Sequence, residues 1–333
     1  MSLPQSAVGA DERFWHQALL YSGTDELVAA LESFVTESLS SGDKVLVVLS
    51  APKLAALRAA LGNKAAGVSF ADTDCVGANP ARIIPFWSSF VTELAPGQRA
   101  RGVGEPVGPA RRPAELAECQ VHESLLNLAF AQVPRFWLLC PYDTSTLNEA
   151  VLDEARRSHA FISAPTQPPR ASNRYVASQM TGALSRDDLP PAPPEAQYLR
   201  VDAGRVASAR RLVRVRAGEL GLCEAVAGDF ALAVHEVVAN SLKHGRGHSE
   251  LYIWEDGESI VCDVRDQGRF EEPLAGRRRP VRTGAAGRGL WMANQLCDLV
   301  QIRTGQGGTA VRLHLNKPAG RSYLPPLQEA SKG

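Results

Sequence analysis

Polar side chains recur at every fourth position of an otherwise apolar stretch, LAVHEVVANSLKHG (232–245). At 3.6 residues per turn, Glu236, Asn240 and His244 stack on one helix face, while Leu232, Val234, Val238 and Leu242 spread over faces that can be buried. The pattern predicts a helix over 226–244 with one side packed and the other facing something wet. A helix at about 204–220, closed by ELGL, precedes it. Downstream, SELYIWEDGESIVCDVRDQG (249–268) alternates with period two on either side of EDGE, which predicts two strands and a turn. A loop rich in glycine and arginine leads into the helix GLWMANQLCDLV, and VQIRT and AVRLHL pair across GQGG. Helices on one side of an antiparallel sheet make an α+β sandwich.

The first half reads differently. DKVLVVLS (43–50) is a continuous apolar run of strand length, APKLAALRAALG (51–62) is helical with a glycine stop, and AGVSFADTD (66–74) is a second strand. ELAECQVHESLLNLAFA (115–131) predicts a long helix and RFWLLCPYD (135–143) a buried strand. That alternation predicts a doubly wound α/β sheet. Ligand clefts in such sheets lie beyond the carboxyl ends of strands, which makes Cys140, Tyr142 and Asp143 the pocket candidates of this half. Between the halves, PTQPPR and DLPPAPPE bracket a polar stretch with the composition of a semi-rigid linker. A chain of 333 residues is long for one core. The predicted partition is a first domain over 12–165, a linker over 166–197 and a second domain over 198–318.

Charge adds exclusions. The 36 basic and 36 acidic residues cancel, so no global field draws nucleic acid or an anionic membrane. No apolar run reaches membrane-spanning length, and Asp11, Glu12 and Arg13 break any signal-peptide pattern, so a cytoplasmic protein is expected. The six cysteines are scattered without zinc-ligand spacing and suit buried reduced thiols. Cys119 with His122 on one helix turn, and Cys140 at a strand end, are candidates for a thiol sensor or metal site, beside plain burial in the core. No G-x-x-x-x-G-K-[ST] follows a strand in the first half, which leaves it no visible means of holding a nucleotide.

Three segments of the second half carry compatible chemistry. A carboxylate and an amide one turn apart can hold a hydrated Mg²⁺ through Asn240 and polarise an attacking hydroxyl or water with Glu236, although the same pair suits a solvated helix face. In VRDQG, Asp266 can accept the exocyclic amine of adenine while Gly268 turns the backbone away from the ring; an ordinary loop has the same form. In GAAGRGLWMANQ, Gly284, Gly287 and Gly289 run into a helix, so free N–H groups and the helix dipole face an anion.

These segments, in this order and closed by a Gly-Gly-Thr hairpin at 307–309, resemble the GHKL ATPase superfamily over residues 200–316. Within it the sequence is similar to the anti-sigma-factor serine kinases. The resemblance implies ATP and Mg²⁺ as cofactors, with Asn240 on the metal and Glu236 as the catalytic base. It places Asp266 and Gly268 on adenine, Gly284, Gly287 and Gly289 with Arg288 and Leu290 along the phosphates, and Thr309 behind the adenine aspartate. His244 falls to a structural or phosphate-side contact. Arg277–Arg279 lie in the loop that would cover ATP, where a solvated charge run is the simpler reading. In the first half, HQALLYSGTDELVAAL, DCVGANPARIIPFW, RGVGEPV and LLCPYD resemble the MEDS domain, a sensory module, implying an input domain for a small-molecule or redox stimulus. Together the resemblances imply a regulator that sequesters a sigma factor, phosphorylates a serine or threonine on a STAS-type anti-sigma antagonist and allows a homodimer, with no direct nucleic-acid or membrane partner. The rivals are a sensor histidine kinase, for which HESLLN (122–127) resembles a phosphoacceptor box, and a module that binds ATP without phosphorylating anything.

Overall fold

The apolar run Lys44–Leu49 has no polar face to leave in water, so it is stable only with both faces covered. The computed structural model describes residues 13–77, 79–105, 107–108, 111–177, 188–280 and 287–317, and the chain divides into two compact units, 1–183 and 184–333.

The first unit alternates β1 (Trp15–Tyr21), α1 (Gly23–Ser40), β2 (Lys44–Leu49), α2 (Ala51–Leu61), β3 (Val68–Asp72), α3 (Thr73–Val76), α4 (Ile83–Thr92), β4 (Ala100–Gly104), α5 (Pro113–Ala129), β5 (Phe136–Asp143), α6 (Glu149–Ser158), β6 (Phe161–Ala164) and β7 (Gln167–Ala171). The strands form one sheet in the order β3-β2-β4-β5-β1-β6-β7, parallel except at β7, which runs antiparallel to β6. Leu27, Leu31 and Phe34 of α1 and Leu54 and Leu57 of α2 join Leu19, Val47, Leu49 and Trp137 of the sheet in one apolar core. The glycines of β4 have a packing reason: a Cβ on Gly102 would lie 2.7 Å from the Trp87 ring.

The expected linker needs correction at its start. Gln167–Ala171 is an edge strand whose partners are Phe161, Ile162 and Ala164. Pro168 and Pro169 cannot donate to a ladder, and a sheet edge is where that loss is tolerated. The second sheet begins at Gln197. Between the two sheets the described residues outside any strand are 172–177 and 188–196, and 178–187 lie outside the described residues.

The second unit runs β8 (Gln197–Asp202), α7 (Val206–Glu219), α8 (Glu224–His244), β9 (His248–Asp256), β10 (Ser259–Asp266), α9 (Arg288–Leu296), β11 (Leu299–Gly305) and β12 (Gly308–Asn316). The sheet order β11-β12-β10-β9-β8 is antiparallel throughout. The expected helix GLWMANQLCDLV stops at Leu296, because Cys297 turns to extended backbone and Leu299 starts β11. α8 has Glu224 in its first turn and Lys243 and His244 in its last, both favourable to the helix dipole. It packs against β9, β10 and β12 and carries α7 and α9 beside it, burying Phe230, Val234, Val237 and Val238. Across the ladder, buried Asp263 pairs with Arg312 at 2.7 Å and Arg265 at 3.0 Å. Both arginines also donate to the Pro190 carbonyl, which ties residues 189–190 to this unit.

Candidate functional site

The polar stripe of α8 opens onto a cleft. A large pocket is lined by Glu236, Asn240, Lys243, His244, Arg279, Gly287, Arg288 and Gly289, among others. A second pocket of about 400 Å³ is lined by Asn240, Ser241, His244, Asp266, Gly268, Phe270, Gly287, Leu290 and Thr309, among others. The two share Asn240, His244 and Gly287 and so adjoin one another along α8. The smaller pocket is of ligand size.

Glu236 and Asn240 are half-buried and His244 is exposed. The N-terminus of α9 meets the stripe directly: a Cβ on Gly289 would come 2.7 Å from Glu236 Oε2 and 3.2 Å from Asn240 Nδ2. Only a residue without a side chain lets backbone N–H groups approach this pair so closely. Gly287, at φ +80°, is the N-cap of α9 and faces open space. Gly284 lies outside the described residues.

The adenine-side candidates form a hydrogen-bonded set at the end of β10. Asp266 accepts from Ser241 Oγ and from the Gly268 N–H, each at 2.6 Å. Those bonds fix the carboxylate and leave acceptor capacity for a further donor. Thr309, opposite Asp266 in the β10–β12 register, donates to the Gly268 carbonyl at 3.0 Å and lies 3.2 Å from Thr304 Oγ1. Close packing requires glycine on both sides of the turn, since a Cβ on Gly268 would sit 2.5 Å from the His244 carbonyl oxygen and one on Gly245 2.5 Å from the Asp266 side chain. Ser241 and Thr304 are functional neighbours that sequence reasoning missed. Ser241, one residue after Asn240, was the available signal.

The arginine run divides. Arg278 and Arg279 are exposed and Arg279 lines the larger pocket, whereas Arg277 is buried at 1 % exposure and donates to the Pro273 carbonyl at 3.3 Å. A solvated run is thus wrong for its first member. Asn294 Nδ2 holds the adjacent Gly276 carbonyl at 3.0 Å.

In the first unit the candidates part company. Asp143 closes the end of β5 by accepting from Gly23 N, Ser145 N and Ser145 Oγ. Cys140 and Tyr142 are fully buried within β5 rather than lining an open cleft. Burial pushes the Cys119 thiol up to about 12 and raises that of Cys140 as well, so neither is the reactive thiolate a thiol sensor needs. The group of metal-ligating side chains that converges among the described residues contains Cys140 but neither Cys119 nor His122. Its other members are His16, Glu123 and His159. Burial, reinforced by neighbouring His159, lowers His16 to about 4. No helix of the described residues is long and apolar enough to cross a membrane.

Residues 15–160 match the family model described as MEDS, the methanogen/methylotroph, DcmR sensory domain. Residues 199–315 match the family model described as a histidine kinase-like ATPase domain. No curated protein matches the chain.

Proposed function

From a chain that carries a MEDS domain followed by a histidine kinase-like ATPase domain, we propose an ATP-dependent serine/threonine protein kinase of the anti-sigma type, governed by its sensory domain. In this reading it sequesters a sigma factor and phosphorylates a STAS-type antagonist. The observation that carries the reading is the pair of adjoining pockets, one lined by Glu236, Asn240 and the N-terminus of α9 and the other by Asp266, Gly268 and Thr309.

The residues fit Mg-ATP. A flat, amine-bearing base suits the 400 Å³ pocket with its pre-oriented carboxylate, and an anion suits the open glycine N-terminus of α9. Bound Mg-ATP would supply the phosphoryl group and the metal that neutralises it. The Asn240 carboxamide oxygen would hold that metal, and Asp266 would accept from the adenine amine. Glu236, one turn before Asn240, would take the proton of the incoming serine hydroxyl as the Oγ–P bond forms and the bond to the leaving diphosphate breaks. Burial of His122 at 1 % exposure inside α5 gives the histidine-kinase rival no accessible phosphoacceptor there.

The test is Glu236→Gln, which keeps size and most hydrogen bonds. It is expected to bind Mg-ATP within a few-fold of wild type by calorimetry and to phosphorylate the antagonist about 10²–10⁴-fold more slowly. Transfer at the wild-type rate would make Glu236 an ordinary solvated helix residue. Pull-down with and without ATP identifies the sigma factor and antagonist.

A further inference from the structure

Four side chains that the proposed kinase chemistry does not use meet inside the first unit. His16 comes from β1, Glu123 from α5, Cys140 from β5 and His159 from the residue after α6, and none is more than 2 % exposed. A ligating atom from each lies within 4.8 Å of the others. Glu123 Oε2 is 3.0 Å from His159 Nε2 and 3.5 Å from His16 Nε2, and Cys140 Sγ is 3.4 Å from His16 Nε2.

The surrounding hydrogen bonds fix which ring nitrogens carry protons. His159 Nδ1 lies 2.8 Å from the Ala155 carbonyl, which can only accept, so that nitrogen is the N–H. His16 Nδ1 lies 3.1 Å from Asn127 Oδ1. Asn127 Nδ2 donates to the Ser158 carbonyl at 2.8 Å, which fixes the orientation of the amide and leaves Oδ1 as the acceptor. Both rings therefore aim Nε2 at the same carboxylate oxygen, so a proton on an Nε2 can bridge that ring to Glu123, and a metal cation can take the place of that proton. Without a metal the cluster is held by shared protons, an imidazole N–H on Glu123 and the Cys140 thiol beside His16 Nε2, and with both rings neutral a single cation can accept all four donor atoms at once. Imidazoles held by their distal N–H on a carbonyl are the arrangement that presents nitrogen to a metal.

We propose that His16, Glu123, Cys140 and His159 bind one divalent ion of the zinc class as a tetrahedral set of two nitrogens, one oxygen and one sulfur. Tetrahedral bonds to such ligands put neighbouring donor atoms about 3.3–3.8 Å apart, close to the 3.0–3.5 Å separations present. Charge balances: the carboxylate and a Cys140 thiolate neutralise the ion, and both imidazoles stay neutral. On binding, the Cys140 Sγ–H bond breaks, its proton leaves to solvent and an Sγ–metal bond forms, with no change of oxidation state. Tyr142, donating to Glu123 Oε2 at 3.1 Å, and Asn127 position the ligands from behind. Glu123 and Cys140 also border a cavity of about 20 Å³ with Thr73 and Glu105, room for about one water beside the ion. The site stands independently of the kinase reading.

The full-length chain, stripped by chelator under reducing conditions, is titrated with Co²⁺ alone. One equivalent is expected to give the intense visible bands of tetrahedral Co²⁺ with a thiolate-to-cobalt charge-transfer band, and Zn²⁺ should displace it. Cys140→Ser should remove the charge-transfer band, Cys119→Ser should keep it, and Asn127→Ala should weaken binding about 10–100-fold. Absence of a saturable one-equivalent tetrahedral spectrum in folded protein, or a spectrum unchanged by Cys140→Ser and His159→Gln, overturns the site. Where a variant fails to fold, X-ray absorption of the wild-type zinc protein decides: one sulfur among four neighbours supports the site, and none or more than one refutes it.

Discussion

The two units hold their chemistry at opposite depths. In the second, Glu236, Asn240 and Asp266 border a cleft open to solvent. In the first, His16, Glu123, Cys140 and His159 are sealed among strands and helices. An open site can exchange a ligand at every turnover and needs only local hydrogen bonds, such as Ser241 to Asp266, to aim its groups. A sealed site must be satisfied at all times, because unpaired polar groups in a dry interior cost several kcal/mol. Substitutions in the cleft should therefore act on function with the fold intact, and those in the buried cluster on the fold itself.

The largest expected effect lies in the cleft. Asn240→Ala should abolish phosphoryl transfer, since in the proposed kinase reading its amide oxygen would be the neutral ligand that reaches a phosphate-bound Mg²⁺ from α8. The far-UV spectrum and unfolding midpoint of the second unit should stay close to wild type. Detectable turnover with Mg²⁺ in a radiolabel transfer assay would remove Asn240 from the metal.

Glu123→Ala tests the other pole. Burial works to raise the carboxyl pKa of Glu123, but the two imidazoles beside it more than offset that, and the group is held below its ordinary range. Truncating it strips the partner from His16, His159 and Tyr142 at once, so the first unit should lose about 3–5 kcal/mol. Hydrogen exchange read on peptides of β1 and β5 measures this. Unchanged protection there would mean that the cluster is no more structural than the cleft.

This contrast also decides what was legible beforehand. The stripe on α8, the Asp-x-Gly turn and the glycines before α9 each lie within a few consecutive residues, so their spacing exposes them in the bare sequence. The buried cluster has no such signature: its members come from β1, α5, β5 and the α6–β6 junction, spread between residues 16 and 159, and only the fold, with β1 set between β5 and β6, brings them together. Cys140 stands out for its place at a strand end, but the side chain of α5 that meets it is Glu123, one helical turn after Cys119 and next to His122, and an acidic residue in that helix carries no metal-ligand spacing of its own. Strand β7 was hidden by Pro168 and Pro169, which read as linker until an edge position accommodates them. β4 was hidden by Gly102 and Gly104, whose missing side chains make room for Trp87. Arg277 carried no sign of burial because its partner is a backbone carbonyl four residues earlier.

A smaller effect is expected at the far end of the cleft. Asp266→Asn is nearly isosteric but sets an amide donor where, in the proposed reading, the adenine amine would also donate. Losing a charge-assisted hydrogen bond costs about 1.5–3 kcal/mol, which corresponds to roughly 10–100-fold weaker ATP binding and a narrower preference for ATP over GTP. Calorimetry with both nucleotides checks it. An unchanged preference would take adenine recognition away from Asp266, though Ser241 and Gly268 would still hold its side chain in place.

The smallest effect on stability, and the sharpest separation of fold from function, belongs to Gly289→Ala. The added methyl would lie 2.7 Å from Glu236 Oε2, the free end of a half-buried side chain that can swing aside, and 3.1 Å from Glu236 Cβ, so α9 must also give by a few tenths of an ångström. Alanine also favours the first turn of α9 by up to about 1 kcal/mol over glycine. The two terms oppose each other, and the net change in urea unfolding of the second unit should stay within about 1 kcal/mol. In the proposed reading, however, the displaced carboxylate is the one that would accept the serine proton, and a displacement of about 1 Å at a reacting group can cost on the order of 10²-fold in rate. Transfer should therefore slow markedly while stability holds. A large loss of stability would show that α8 and α9 are locked together at this point, with Glu236 as packing, and an unchanged rate would show that its carboxylate has no part in the proton transfer.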